Sequence, residues 1–142
     1  MTGLLLTAQA SYAQPAVPSI CLITVDDNST HNVIYWDKTG YTTGDAFIIY
    51  REHVTAGYLP IDTIPYDSLS EYHDLGYAPN VAKVRYKMAA MNMTGTSLKS
   101  LYHGTMYCNE PTYGEFTWND YEIEGMPSSP ATAFVLHRQD TA

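Results

Sequence analysis

Between residues 18 and 103 apolar and polar positions alternate in short runs. No longer window keeps an apolar stripe at helical spacing with capping residues at its ends. Period-two runs rich in Val, Ile, Thr, Tyr and Phe predict strands at 20–25, 32–36, 46–52, 59–64, 71–72, 84–91 and 97–103. The stretches between them, "DDNST", "KTGYTTG", "HVTAG", "PYDS", "LGYAPN" and "MTGT", carry the Gly, Pro, Asn and Asp that tight turns require. Short strands at this spacing predict an all-β chain folded as an immunoglobulin-like, two-sheet antiparallel sandwich.

Alternation also assigns faces, because successive side chains on a strand point to opposite sides. Ile34 and Trp36 share a face in the second run, and Ala46, Ile48 and Tyr50 share one in the third. In the sixth, Val84, Tyr86, Met88 and Ala90 point one way while Arg85 and Lys87 point the other. The two basic residues belong in water, so the first set is assigned to the core. The expected core is therefore Ile34, Trp36, Ile48, Tyr50, Tyr86 and Met88, with Trp36, Tyr50 and Tyr86 as its large central fillers.

The chain then repeats its own plan. "VIYWDKTGYTTGDAFIIYRE" at 33–52 and "EFTWNDYEIEGMPSSPATAFVLHRQ" at 115–139 both place a Trp before a loop and close on Phe, two aliphatics, Tyr or His, and Arg. Trp36 recurs as Trp118, Phe47 as Phe134 and Tyr50 as His137. A separation of roughly 80–90 residues exceeds solenoid periods of about 20–50 and suits tandem sandwich domains. Residues 104–142 are thus expected to hold the first three strands of a second, truncated copy, with Trp118 in its core. The whole is expected to be a fragment of a longer protein.

Composition narrows the function classes. The chain is 45% hydrophobic and 13% aromatic, which supplies a core and argues against wholesale disorder. Its formal net charge is −8, from 7 basic and 15 acidic residues. Without a basic face it is not expected to bind nucleic acid, and an anionic membrane would repel it. Attraction to cations or basic partners is one reading of the charge, and a soluble extracellular surface is the plainer one.

The opening "GLLLTAQASYAQP" sets a short apolar run before small residues Ser11 and Ala13, the pattern at the end of a secretory signal peptide. Residues 1–13 are expected to be its remnant and the protein to be secreted or at the cell surface. The apolar run is far too short to insert across a bilayer. Export would permit a disulfide between Cys21 and Cys108, although two free, buried thiols are the expectation. No CxxC or Cys/His cluster points to zinc.

Trp36 in the second strand, "FIIYRE" in the third and "VRYKMAAMNMTGTSLKS" across the last two resemble a fibronectin type III domain over residues 18–103. More narrowly, "ICLITVDDNSTHNVIYWDK", "SLSEYHDLG" and "KSLYHGTMY" are similar to repeats of large secreted bacterial surface proteins, many of them sorted by type IX secretion. The resemblance implies a non-catalytic repeat that spaces or displays other domains, or contributes to adhesion, and needs no cofactor. Its partners would be neighbouring domains of the same longer chain and an extracellular protein or glycan.

Candidate chemistry is sparse. His73 in "EYHD" is the best metal or acid–base candidate, yet only Glu71 shares its face while Asp74 lies opposite. "DDNST" from Asp26 to Thr30 offers oxygens but lacks the spacing and Gly of a calcium loop, so it reads as a turn. No GxSxG, HExxH or phosphate loop is present, and "GYTTGD" has no helix after it. Glu122 and Glu124 sit in a Gly- and Pro-bounded loop with no cleft to make them a glycosidase pair. An enzyme is not expected.

Tyr41, Tyr58, Tyr66 and Tyr77 fall in or beside loops. Tyr58, Tyr66 and Tyr77 are the candidate binding residues of an alternative reading, an accessory carbohydrate-binding module attached to a secreted hydrolase. Otherwise they pack over the ends of the core. Asn28 and Asn92 match glycosylation acceptors, which carry little weight in a bacterial protein.

Overall fold

The structure, a computed structural model, describes residues 13–127. Within them lie β1 (Ser19–Val25), β2 (Asn32–Asp37), β3 (Ala46–His53), β4 (Gly57–Pro65), β5 (Glu71–Asp74) and β6 (Arg85–Asn92). Shorter strands follow: β7 (Gly95–Thr96), β8 (His103–Gly104), β9 (Cys108–Thr112), β10 (Glu115–Trp118) and β11 (Glu122–Ile123). No helix occurs among the described residues, and the paired strands run antiparallel. One sheet has the order β1-β2-β5. The other runs β11-β8-β6-β3-β4, with β7 also on β6, and β9 with β10 makes a separate two-stranded ribbon. The described residues are all-β and antiparallel, as the alternation predicts.

The first sheet contributes Ile20, Ile23, Ile34 and Trp36 to a common core, and the second contributes Phe47, Ile49, Tyr86, Met88 and Ala90. Trp36 packs on Phe47 with ring centroids 5.7 Å apart, and Tyr41 closes that end edge-on to Phe47 at 4.9 Å. Turn chemistry sets the strand ends. Gly57 takes a φ of +72°, which its missing Cβ permits, and there the β3–β4 hairpin reverses. Pro60, Pro65 and Asp62 then make β4 a poor template for further pairing, which suits its place at the sheet edge.

Of the expected core, Ile34, Trp36, Tyr86 and Met88 are buried as assigned, at 3% exposure or less. The assignment of β3 is reversed. Phe47 and Ile49 are fully buried, while Ala46, Ile48 and Tyr50 are half-buried on the other face. Both phases of "AFIIY" are apolar, so alternation cannot choose between them. The register chooses: Phe47 lies opposite Ala90 and Ile49 opposite Met88, and partners across a ladder share a face. Tyr50 instead has the Lys99 ammonium 4.5 Å from its ring centroid.

The expected strand at 97–103 also differs. Only its last residue lies in β8. Before it the N–H groups of Ser97 and Ser100 donate to the carbonyls of Ala90 and Met88 at 2.8 and 2.7 Å, but the return ladder bonds are replaced by serine side-chain ones. Their hydroxyls accept from the N–H groups of Ala90 and Met88 at 3.0 and 2.9 Å and donate to the carbonyls of Leu98 and Leu101. A three-residue serine spacing cannot follow a two-residue pleat, so the segment runs beside β6 without joining it as a regular strand.

The expected domain boundary between 103 and 104 falls inside β8. Thr105 beyond it is buried, its N–H donates to Val84 O at 2.9 Å, and its hydroxyl accepts from Val84 N–H at 3.0 Å. Trp118, assigned to the core of a second copy, is 40% exposed on β10. The third strand expected of that copy, with Phe134 and His137, lies outside the described residues. Cys21 and Cys108 are free, as expected, but exposed rather than buried. Both lie on strands with one face turned to solvent.

Candidate functional site

The most elaborated surface lies where the segment after β10 returns to the large sheet. Arg85 and Lys87 point away from the core, as the alternation requires, yet they are half-buried because this segment covers them. β11 pairs with β8, Glu122 opposite Gly104 and Ile123 opposite His103. That pairing lowers two carboxylates onto the basic face. Glu122 meets Lys83, Arg85 at 3.3 Å and the Tyr102 hydroxyl at 2.6 Å, and Glu124 meets Lys87 at 2.6 Å. Arg85 also reaches Glu52 on β3 at 3.0 Å. The Lys83–Glu122 pair sits close over Gly104, where a Cβ would stand 2.9 Å from Lys83 Cε and 3.2 Å from Glu122 Cβ, so a larger residue there would make the lysine side chain shift.

The electrostatics follow from these contacts. The hydrogen bond from Lys83, then that from Tyr102, holds the Glu122 carboxyl down at about 2, against a small opposing push from burial. Glu124 is lowered in the same direction, first by Lys87. These two acids, read from sequence as a loop pair without a cleft, are structural ion-pair partners.

Tyr121 locks the same segment to the opposite sheet. Its hydroxyl accepts from Ile23 N–H on β1 at 3.0 Å and lies 2.7 Å from His103 Nδ1. Burial lowers the basicity of His103, which keeps the imidazole neutral and able to accept from Tyr121. Sequence reasoning missed Tyr121 and His103 as a pair. The one available signal was an aromatic directly before an acidic alternation, "YEIE".

A second polar group lies inside the sandwich. Asp74 is 1% exposed and sits on the face of β5 opposite to Glu71 and His73, as the alternation assigns it. Its carboxylate accepts from Arg51 at 2.7 Å, from the Tyr86 hydroxyl at 2.7 Å and from Gly76 N–H at 3.2 Å. Tyr86 has one proton, given to Asp74, so its oxygen accepts from Asn32 Nδ2 at 3.1 Å. Desolvation and then the Asp74 carboxylate push the Tyr86 hydroxyl far above its ordinary value.

The three candidate tyrosines are not brought onto one surface. Tyr66 follows β4 at the Ala46 end of the large sheet, under Lys38 at 5.2 Å, and packs against the core. Tyr58 and Tyr77 lie toward the other end, beneath Lys87 at 5.1 Å and Arg51 at 5.5 Å, with Tyr77 also against the core. Burial, then the neighbouring Glu52, pushes the Tyr58 hydroxyl up to about 12. Each ring has a protein cation over it.

Asp26 organises the β1–β2 turn, accepting from the N–H groups of Asn28, Thr30 and His31. Desolvation raises its carboxyl, but these donors outweigh it and set it at about 2. The oxygens of the turn are thus spent on its own backbone. His73 lies beside His31, with their facing ring nitrogens 2.7 Å apart. No three metal-ligating side chains converge among the described residues. An open apolar groove of about 520 Å³ runs between Ile23, Val25, Asn32, Thr105, Met106 and Trp118. No helix among the described residues is long and apolar enough to cross a membrane. Comparison with protein-family models, with curated proteins and with solved structures returns no match.

Proposed function

We propose that the chain is a fibronectin type III module, a non-catalytic repeat that spaces or displays other domains of a larger exported protein. We further propose that residues 104–142 open a second copy. The observation that carries the reading is strand order. β1-β2-β5 faces β4-β3-β6-β8, with Trp36 and Tyr86 between the layers, the arrangement expected of that domain class. The segment leading away from this sandwich is bound back onto it by Tyr121, Glu122 and Glu124. A spacer gains stiffness from such a junction, because bending it requires breaking several contacts together.

Force spectroscopy on a tandem array of the chain tests this directly. A spacer unfolds in discrete, repeatable steps and refolds on relaxation. A glycan array on the same chain tests the carbohydrate-binding alternative. Specific binding abolished by Tyr58→Ala or Tyr77→Ala would replace the spacer reading with that one.

A further inference from the structure

The apolar groove is the open end of the sandwich. Val25 on β1 and Asn32 on β2 are ladder partners, and Asn32 shares the inward face of Ile34 and Trp36. Both side chains therefore enter the space between the layers. Val25 is nevertheless 40% exposed, so the layers part at this end, and Met106, Cys108 and Trp118 line the far side of the gap. Asn32 forms part of the floor, is 1% exposed, and has a half-satisfied amide. Its Nδ2 donates to the Tyr86 oxygen at 3.1 Å, while its Oδ1 has no partner. Exchanging the two amide atoms does not help. The Tyr86 proton goes to the Asp74 carboxylate at 2.7 Å, so an Asn32 oxygen there would face another acceptor. The group left over is an acceptor at the bottom of the groove.

We propose that this groove binds a small, neutral, planar aromatic molecule of the indole or phenol kind, whose N–H or O–H donates to Asn32 Oδ1. Its volume of about 520 Å³ lies within the range of about 300–1,000 Å³ that small-molecule sites occupy. The walls select the body of the ligand. Ile23, Val25 and Pro79 are aliphatic, and the Met106 thioether and Trp118 indole offer sulfur and π contacts to an aromatic face. The floor selects its polar group. No charged side chain lines the groove among the described residues, so a buried cation would lack a counter-charge. An anion would set acceptor against acceptor at Oδ1. Asn32 is held from behind, since its Nδ2 is bound to Tyr86, Tyr86 to Asp74, and Asp74 to Arg51 at 2.7 Å. The acceptor is thus oriented before the ligand arrives, which lowers the cost of binding.

Titration of the isotope-labelled 142-residue chain with indole, followed by NMR amide shifts, tests the proposal. The expected result is saturable shifts at Val25 and Met106 and at the side-chain N–H signals of Asn32 and Trp118. Benzothiophene, which has the shape of indole without its N–H, should bind about tenfold more weakly. Asn32→Leu should abolish that difference, whereas Trp118→Ala should weaken both probes alike. Tryptophan fluorescence on urea unfolding checks that each variant is folded. If Asn32→Leu unfolds, the ratio of the two probes on the unaltered chain decides alone. Absence of saturable shifts at the groove up to the solubility of indole overturns the proposal. So does equal affinity for indole and benzothiophene, which would assign Oδ1 to a water. A preference for indole that persists in a folded Asn32→Leu, or binding undiminished by Trp118→Ala, overturns it as well.

Discussion

Replacing Tyr86 with Phe removes a single oxygen that serves two buried neighbours. That oxygen donates to the Asp74 carboxylate at 2.7 Å and accepts from Asn32 Nδ2 at 3.1 Å. A hydrogen bond to a charged group contributes about 1.5–3 kcal/mol, and an orphaned buried donor costs about 1–3 kcal/mol. Asp74 keeps Arg51 and Gly76, which softens the first loss. Asn32 has no such reserve. Its Oδ1 already lacks a partner, so the variant would leave its whole side-chain amide unsatisfied in a site 1% exposed. We expect a net loss of about 2–4 kcal/mol, a large share of an ordinary domain's stability.

Urea unfolding followed by tryptophan fluorescence reads this loss as a lower midpoint at unchanged slope. Asn32→Leu supplies the internal control. In the wild-type background it strips Tyr86 of its donor, whereas in Tyr86→Phe it removes the orphan and should recover part of the loss. The reasoning fails if Tyr86→Phe costs under about 0.5 kcal/mol, or if Asn32→Leu has the same effect in both backgrounds.

Trp36→Ala should cost about 3–5 kcal/mol by the same assay, because it empties the space against Phe47 between the sheets. Acid should destabilise the chain in two windows. The folded state resists protonating His103, so stability falls as pH drops below 6.5, where the unfolded imidazole takes up a proton, and His103→Gln should flatten that limb. Glu122 is depressed from 4.5 to about 2, so its contribution is full above 4.5 and is lost as pH falls toward 2. Solvent screening keeps that contribution to about 1 kcal/mol, and Glu122→Gln should shrink this limb in a pH series of urea midpoints, leaving the share of Asp26 and Glu124. A chain ending at 103 should melt well below one ending at 127, since it loses Thr105, Tyr121 and the two glutamates. Equal melting temperatures would show that the returning segment stabilises nothing.

The sequence by itself determined the first six strands, most of their limits and the inward faces of β2 and β6. Those decisions are local: a two-residue period is broken by turn residues, and in "VRYKMA" charge marks the outer face. It also put Asp74 on the face opposite Glu71 and His73, and the structure showed that this face is the inward one. The tertiary structure decided whatever depended on pairing between distant segments. "AFIIY" is apolar in both phases, so only its register with β6 buried Phe47 and Ile49 in place of Ile48 and Tyr50. The Arg51–Asp74–Tyr86–Asn32 chain joins residues from four strands, and the His31–His73 contact joins the β1–β2 turn to β5. Tyr121 and Glu122 fasten β11 to the sandwich across a boundary that the duplication had placed at 103. Alternation reports which way a side chain points, but not which strand lies beside it, and these sites are made by the strands that lie beside one another.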